Sequence, residues 1–85
     1  MKIQLRFFAS VREKLASSGE LLELSDEIIN ASQVRALLIA RGGVWAEVLA
    51  PDRALRMAYN QQMIHGDTVL QEGGELAFFP PVTGG

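Results

Sequence analysis

Glu75-Leu76-Ala77-Phe78-Phe79-Pro80-Pro81-Val82-Thr83-Gly84-Gly85 closes the sequence, and its reading decides the fold. From Glu75 to Phe79 the residues alternate as in a strand, with Leu76 and Phe78 on one face and Ala77 and Phe79 on the other. Pro80-Pro81 then removes two backbone N–H donors, so no ladder continues past Phe79. Glu72-Gly73-Gly74 supplies a tight turn just before this strand. The segment is therefore a last strand that closes a structure built upstream.

Working back from it, Lys2 to Ala9 alternates with Ile3, Leu5 and Phe7 on one face and Lys2, Gln4 and Arg6 on the other, until Phe8 breaks the pattern. Val11 to Leu15 reads as a turn or short helical link, Ser17-Ser18-Gly19 as a hairpin-type connection, and Glu20 to Leu24 as a second strand. Asn30 or Ser32 can cap a helix, and Asn30 stands three residues before Gln33 as in a capping box. The spacing predicts the principal helix over Ser32 to Arg41, with Val34, Leu37 and Leu38 as its buried stripe and Gly42-Gly43 as its stop. Val44 to Ala50 is another helical turn or two. Leu55 to Asn60 is a third strand that Gln61 to Ile64 extends or reverses, and Thr68 to Leu70 is a very short strand after the His65-Gly66-Asp67 turn. A sheet crossed by one main helix is an α+β arrangement.

With 85 residues, 48% of them hydrophobic, the chain has the material for one core and for one domain only. It contains no cysteine, which excludes disulfides and a thiol nucleophile, and one histidine, which leaves no His-rich metal set. A net charge of −2 argues against a nucleic-acid partner. Without a long apolar run or a signal-peptide pattern, the expectation is no membrane association and a cytoplasmic location. Every Lys and Arg lies at or before Arg56, and no charged side chain follows Glu75.

That uncharged end is the specific feature. Pro80-Pro81 favours a stiff, extended path that carries the tail away from the domain. At about 3.3 Å per residue, Pro80 to Gly85 reaches roughly 20 Å, enough to enter a deep pocket on another protein. Gly84 and Gly85 lack Cβ atoms and fit a narrow channel. What they deliver is a carboxylate, ionised at neutral pH and unreactive towards nucleophiles until a partner converts it to a mixed anhydride such as an acyl-adenylate.

The ending, together with Leu5-Arg6-Phe7-Phe8-Ala9-Ser10-Val11-Arg12-Glu13 and with Asn60-Gln61, resembles the molybdopterin synthase sulfur-carrier (small) subunit family, MoaD, across essentially the whole chain. One departure is Gly74, where many members carry an acidic residue, and a looser turn is expected there. The resemblance implies a β-grasp, ubiquitin-like fold over residues 1–79, with the first and last strands adjacent and parallel, and a flexible tail over 80–85. It also implies that Gly85 is adenylated by a ubiquitin-activating-like enzyme that uses ATP, then thiocarboxylated. The tail would next enter the large subunit of a heterotetrameric synthase and give its sulfur to cyclic pyranopterin monophosphate. Gly84 and Thr83 would line the threaded segment, and Pro80, Pro81 and Val82 would direct it. The chain would bind no cofactor or metal and would not be an enzyme alone. The rival readings are a thiamine-pathway sulfur carrier and a ubiquitin-like protein modifier.

Phe78 and Phe79 cannot share one core, so an apolar partner-binding patch is expected from among Phe8, Phe78 and Phe79. Trp45 reads as helix packing and His65 as a solvated turn residue. Lys2 and Lys14 sit in no catalytic motif.

Overall fold

A computed structural model describes residues 1–81. The residues expected to carry or thread the reacting group, Val82, Thr83, Gly84 and Gly85, lie outside the described residues.

Strand β1 (Lys2–Phe7) buries Ile3, Leu5 and Phe7, as its alternation requires. A short helix α1 (Ala9–Leu15) returns the chain, inserting Val11 and Leu15 into the core, and β2 (Gly19–Glu23) then pairs antiparallel with β1. Gly19 is required there. Its φ is +148°, and an added Cβ would collide with the Leu5 carbonyl oxygen.

The principal helix α2 (Ala31–Ile39) begins at Asn30. The Asn30 side chain accepts from the Gln33 N–H at 2.9 Å while the Gln33 side chain accepts from the Asn30 N–H at 3.1 Å. Ser32 is already the second residue of the helix and so not its cap, and its N–H donates to the Gly66 carbonyl at 2.8 Å. That bond, with Ala31 N–H to the Thr68 carbonyl at 3.2 Å, satisfies donors a helix start leaves open. The expected strand at Thr68 to Leu70 is consequently reduced to one bridge, Asn30 to Val69.

The buried stripe of α2 is Ala31, Val34 and Leu38, and Leu37 is 40% exposed. The expected pairing of Leu37 with Leu38 in the core is thus corrected by part of a turn. On the other flank Arg35 lies along the protein and donates to the carbonyls of Leu49 (2.8 Å), Ala50 (2.6 Å) and Arg53 (3.2 Å). Leu38→Ala should cost about 2–5 kcal/mol and Leu37→Ala less than about 0.5 kcal/mol in a denaturant titration. Equal losses at the two positions would contradict this packing.

Gly42 and Gly43, at φ +76° and +55°, join α2 to α3 (Gly43–Val48). Arg41 forms a two-pronged ion pair with Glu20 at 2.7 and 2.9 Å and stacks 4.5 Å over Trp45, whose ring meets Phe7 edge-on. Hydrogen bonding from Arg41 holds the Glu20 carboxyl below its ordinary value. This clamp between β2 and the helices is therefore present at neutral pH and fails only as acid protonates Glu20.

Strands β3 (Arg56–Tyr59) and β4 (Gln62–Ile64) form a hairpin across Asn60-Gln61, so the chain reverses rather than extends. Both turn residues have positive φ, +50° and +68°, the geometry of a two-residue hairpin that matches strand twist. The last strand, β5 (Glu75–Phe79), enters the middle of the sheet. It lies parallel to β1 and antiparallel to β3, giving the order β2-β1-β5-β3-β4. One face of this sheet packs on all three helices around Phe7, Phe78, Leu5 and Leu76, and the other face carries no helix. This is the β-grasp architecture.

Candidate functional site

The register of β5 determines which side chains the open face presents. Phe7 stands beside Phe78 and Met57 across from it, all on the core side. Phe78 is fully buried, so of the three rings expected to meet a partner it is the one the fold removes. Its neighbour Phe79 faces the other way and is half-buried, and Phe8, released where β1 ends, is 47% exposed. The alternation expected from sequence therefore separates the two phenylalanines, and pairing with Phe7 decides which goes inside.

On the open face Glu75, Ala77 and Phe79 succeed one another along β5, with Ala58 directly across from Ala77 on β3. Two alanines side by side leave a depression. Phe8 and Ala9 wall one end, Gln61 stands at the other, and Pro80 and Pro81 continue the wall beyond the strand. The resulting groove has a volume of about 640 Å³ and a mostly apolar lining. Pro80 and Pro81 are half-buried, so the root of the tail forms part of this surface. Arg6 and Glu75 face each other at its edge at 3.7 Å, an exposed pair that contributes little to stability.

The far end of β5 is fastened by Asn60. Its backbone N–H donates to the Glu75 carbonyl at 2.9 Å, and its side-chain oxygen accepts from the Glu75 N–H at 2.9 Å. A second fastening is Tyr59, whose hydroxyl accepts from the Gln71 N–H at 2.7 Å and donates to the Gln71 carbonyl at 2.9 Å. Gly74 is buried beneath that ring, and an added Cβ would collide with the Tyr59 hydroxyl and ring carbons. The expectation of a loosened turn at Gly74 is thus corrected, because the missing side chain is what lets Tyr59 lock the turn. Gly74→Ala should cost about 1–3 kcal/mol by overpacking. A thermal melt would show it, and an unchanged midpoint would mean that the ring has another place to go.

Sequence reasoning identified Phe8, Phe79, Pro80 and Pro81, which the fold does bring together. It missed Ala9, Ala58 and Gln61. Two of these have a visible signal in hindsight, since a small residue inside a strand marks a place where something approaches closely, and a polar residue after Asn marks a hairpin turn. His65 is exposed and lies outside the groove, and Trp45 packs against the core as expected. Among the described residues no three His, Asp or Glu side chains gather where they could hold a metal ion. No helix among them is long and apolar enough to cross a membrane.

The fold and site define a small ubiquitin-like domain whose central strand runs beside an apolar groove and precedes Gly84-Gly85 in the sequence. Comparison with known proteins gives the family. The ThiS family profile matches residues 5–85. The chain is 36% identical over 83 residues to the molybdopterin synthase sulfur carrier subunit of Haemophilus influenzae, covering 98% of this chain and 99% of that one. It is 37% identical over 83 residues, with the same coverage, to the subunit of that name from Escherichia coli. Among solved structures, a chain of the complex of subunits 1 and 2 of molybdopterin-converting factor from Helicobacter pylori matches the fold. That likeness has a TM-score of 0.71 at 23% identity and covers all of both chains. The chain belongs to the family of molybdopterin synthase sulfur carrier subunits, within the wider ThiS family.

Proposed function

We propose that this protein carries sulfur into molybdopterin on the carboxyl group of Gly85. The observation that carries the reading is that the family match runs the length of the chain and takes in Gly84-Gly85. In this reading a ubiquitin-activating-like enzyme uses ATP to adenylate the Gly85 carboxylate, releasing pyrophosphate. A sulfur donor then displaces AMP to leave a thiocarboxylate. The tail enters the active site of the synthase large subunit, Pro80, Pro81 and Val82 directing it and Thr83 and Gly84 lining the threaded stretch. There the sulfur passes to cyclic pyranopterin monophosphate. The carrier supplies the reacting group, and the partners supply activation and the pocket. The groove beside Phe8 and Phe79 is where the large subunit would seat; in support, a fold neighbour comes from a complex of subunits 1 and 2 of molybdopterin-converting factor from Helicobacter pylori.

A thiamine-pathway carrier would share the tail chemistry. The near-full-length likeness to two molybdopterin synthase subunits favours the first reading. The test is the intact mass of the protein isolated from cells with and without the activating enzyme. A species heavier by the difference between sulfur and oxygen, present only with that enzyme, is expected. Its absence, or a ladder of conjugates on other proteins, would overturn the reading in favour of an inert end or a protein modifier.

A further inference from the structure

A second concavity, of about 210 Å³, meets the groove at Pro80. It lies between α1 and the connection from α3 to β3, where Ser10 and Lys14 face Glu47 and Arg53. The ion pairs among the described residues are Arg6 with Glu75 and Arg41 with Glu20, so neither Lys14 nor Arg53 is paired with a carboxylate among those residues. The backbone of Arg53 is nevertheless fixed, because its carbonyl accepts from Arg35 at 3.2 Å. Arg56, directly across from Phe79 on β3, adds a third exposed cation at this end of the molecule. Glu47 is the single acidic group lining the notch.

The geometry points to a docking surface of two unlike halves astride the tail root, with the apolar groove taking an apolar ridge and the notch receiving a carboxylate-bearing segment of the same partner. The inference rests on the carrier reading, since it places the sulfur-accepting subunit on this end. Two features support it. Both concavities are lined by Pro80, so a protein that surrounds the tail where it leaves the sheet must cover both. The notch also carries cations with no ion-pair partner among the described residues, which is complementary to an acidic surface. Exposed rim charges of this kind act on the encounter step. They raise the association rate and make it salt-dependent, while the buried apolar contacts set the lifetime of the complex.

The experiment measures association and dissociation rates between the full chain and the molybdopterin synthase large subunit of the same organism, at low and high ionic strength. The doubly reversed variant Lys14→Glu, Arg53→Glu should associate about tenfold more slowly at low salt, with a flattened salt dependence and little change in dissociation. Glu47→Lys should associate faster than wild type, a change of opposite sign that damage to the fold would not produce. All three side chains are exposed, and thermal melts should be unchanged. Association rates and salt dependence equal to wild type, or a slower Glu47→Lys, would overturn the notch. Phe79→Asp separates the two ideas. If it abolishes binding while the charge variants are indifferent, only the notch falls. If the wild-type chain does not bind the large subunit, the carrier reading falls with it.

Discussion

A chain lacking only Gly85 should melt like wild type and deliver no sulfur. The folding half follows from topology, because among the described residues the sheet ends at Phe79 and the core contains no residue beyond Phe78. The functional half follows from reach. Removing one residue withdraws the carboxylate by about 3.3 Å. Reacting atoms must be held about 3–3.5 Å apart, and a displacement of 1 Å can already cost about 100-fold. The deficit is thus as large as the whole permitted separation. An added residue after Gly85 should be as damaging, since it moves the carboxylate too far along the channel. Gly84 replaced by a bulky residue should block passage and leave the carboxylate chemically normal. Thiocarboxylate formation and product formation, assayed separately for each variant beside a melt, distinguish these failures. Full-rate sulfur supply by the shortened chain would end the carrier reading.

Adjacent phenylalanines should fail in opposite ways. Phe78→Ala removes a ring that is fully buried among Phe7 and the helices, and should cost about 3–5 kcal/mol, a large share of the roughly 5–15 kcal/mol that holds a domain together. Its melt should collapse, and its activity should fall with its folded fraction. Phe79→Asp leaves the core alone, so the melt should hold. Association with the large subunit should instead weaken by about 2 kcal/mol or more, roughly 30-fold, because a charge is then set against an apolar partner. Calorimetric unfolding and a binding titration on both variants would decide it. A stable Phe78→Ala variant, or unimpaired binding by Phe79→Asp, would mean that the two faces of β5 have been exchanged.

How far the sequence could be read depended on whether a feature was local. Alternation in Lys2–Phe7 and in Glu75–Phe79, the capping box at Asn30, and the breaks at Gly42-Gly43 and Pro80-Pro81 all concern residues near one another, and the structure has them. The phase of α2 was misjudged because Arg35 reads as a solvent residue and Ala31 as a neutral one. Arg35 in fact spends its donors on three backbone carbonyls, and Ala31 is fully buried, which turns the helix until Leu37 emerges. Thr68 to Leu70 reads as a strand because its partners, the Ala31 N–H that donates to the Thr68 carbonyl and the Ile29 carbonyl that accepts from the Leu70 N–H, lie over thirty residues away in the chain. The groove was illegible for the same reason. Ala58 and Ala77 mean nothing singly, and only their register makes a depression.

The placement of β5 has a consequence for biosynthesis. Among the described residues the last strand in chain order is the middle strand of the sheet, bonded on one side to the first. Without it, β1–β2 and β3–β4 are two separate strand pairs with no hydrogen-bonded neighbour in common, and isolated two-stranded pairs are marginal in water. A chain cut short before β5 should therefore fail to settle into a stable domain and be open to proteolysis. Folding itself thus acts as an inspection step for the working end, passing only polypeptides whose synthesis reached the threshold of the tail.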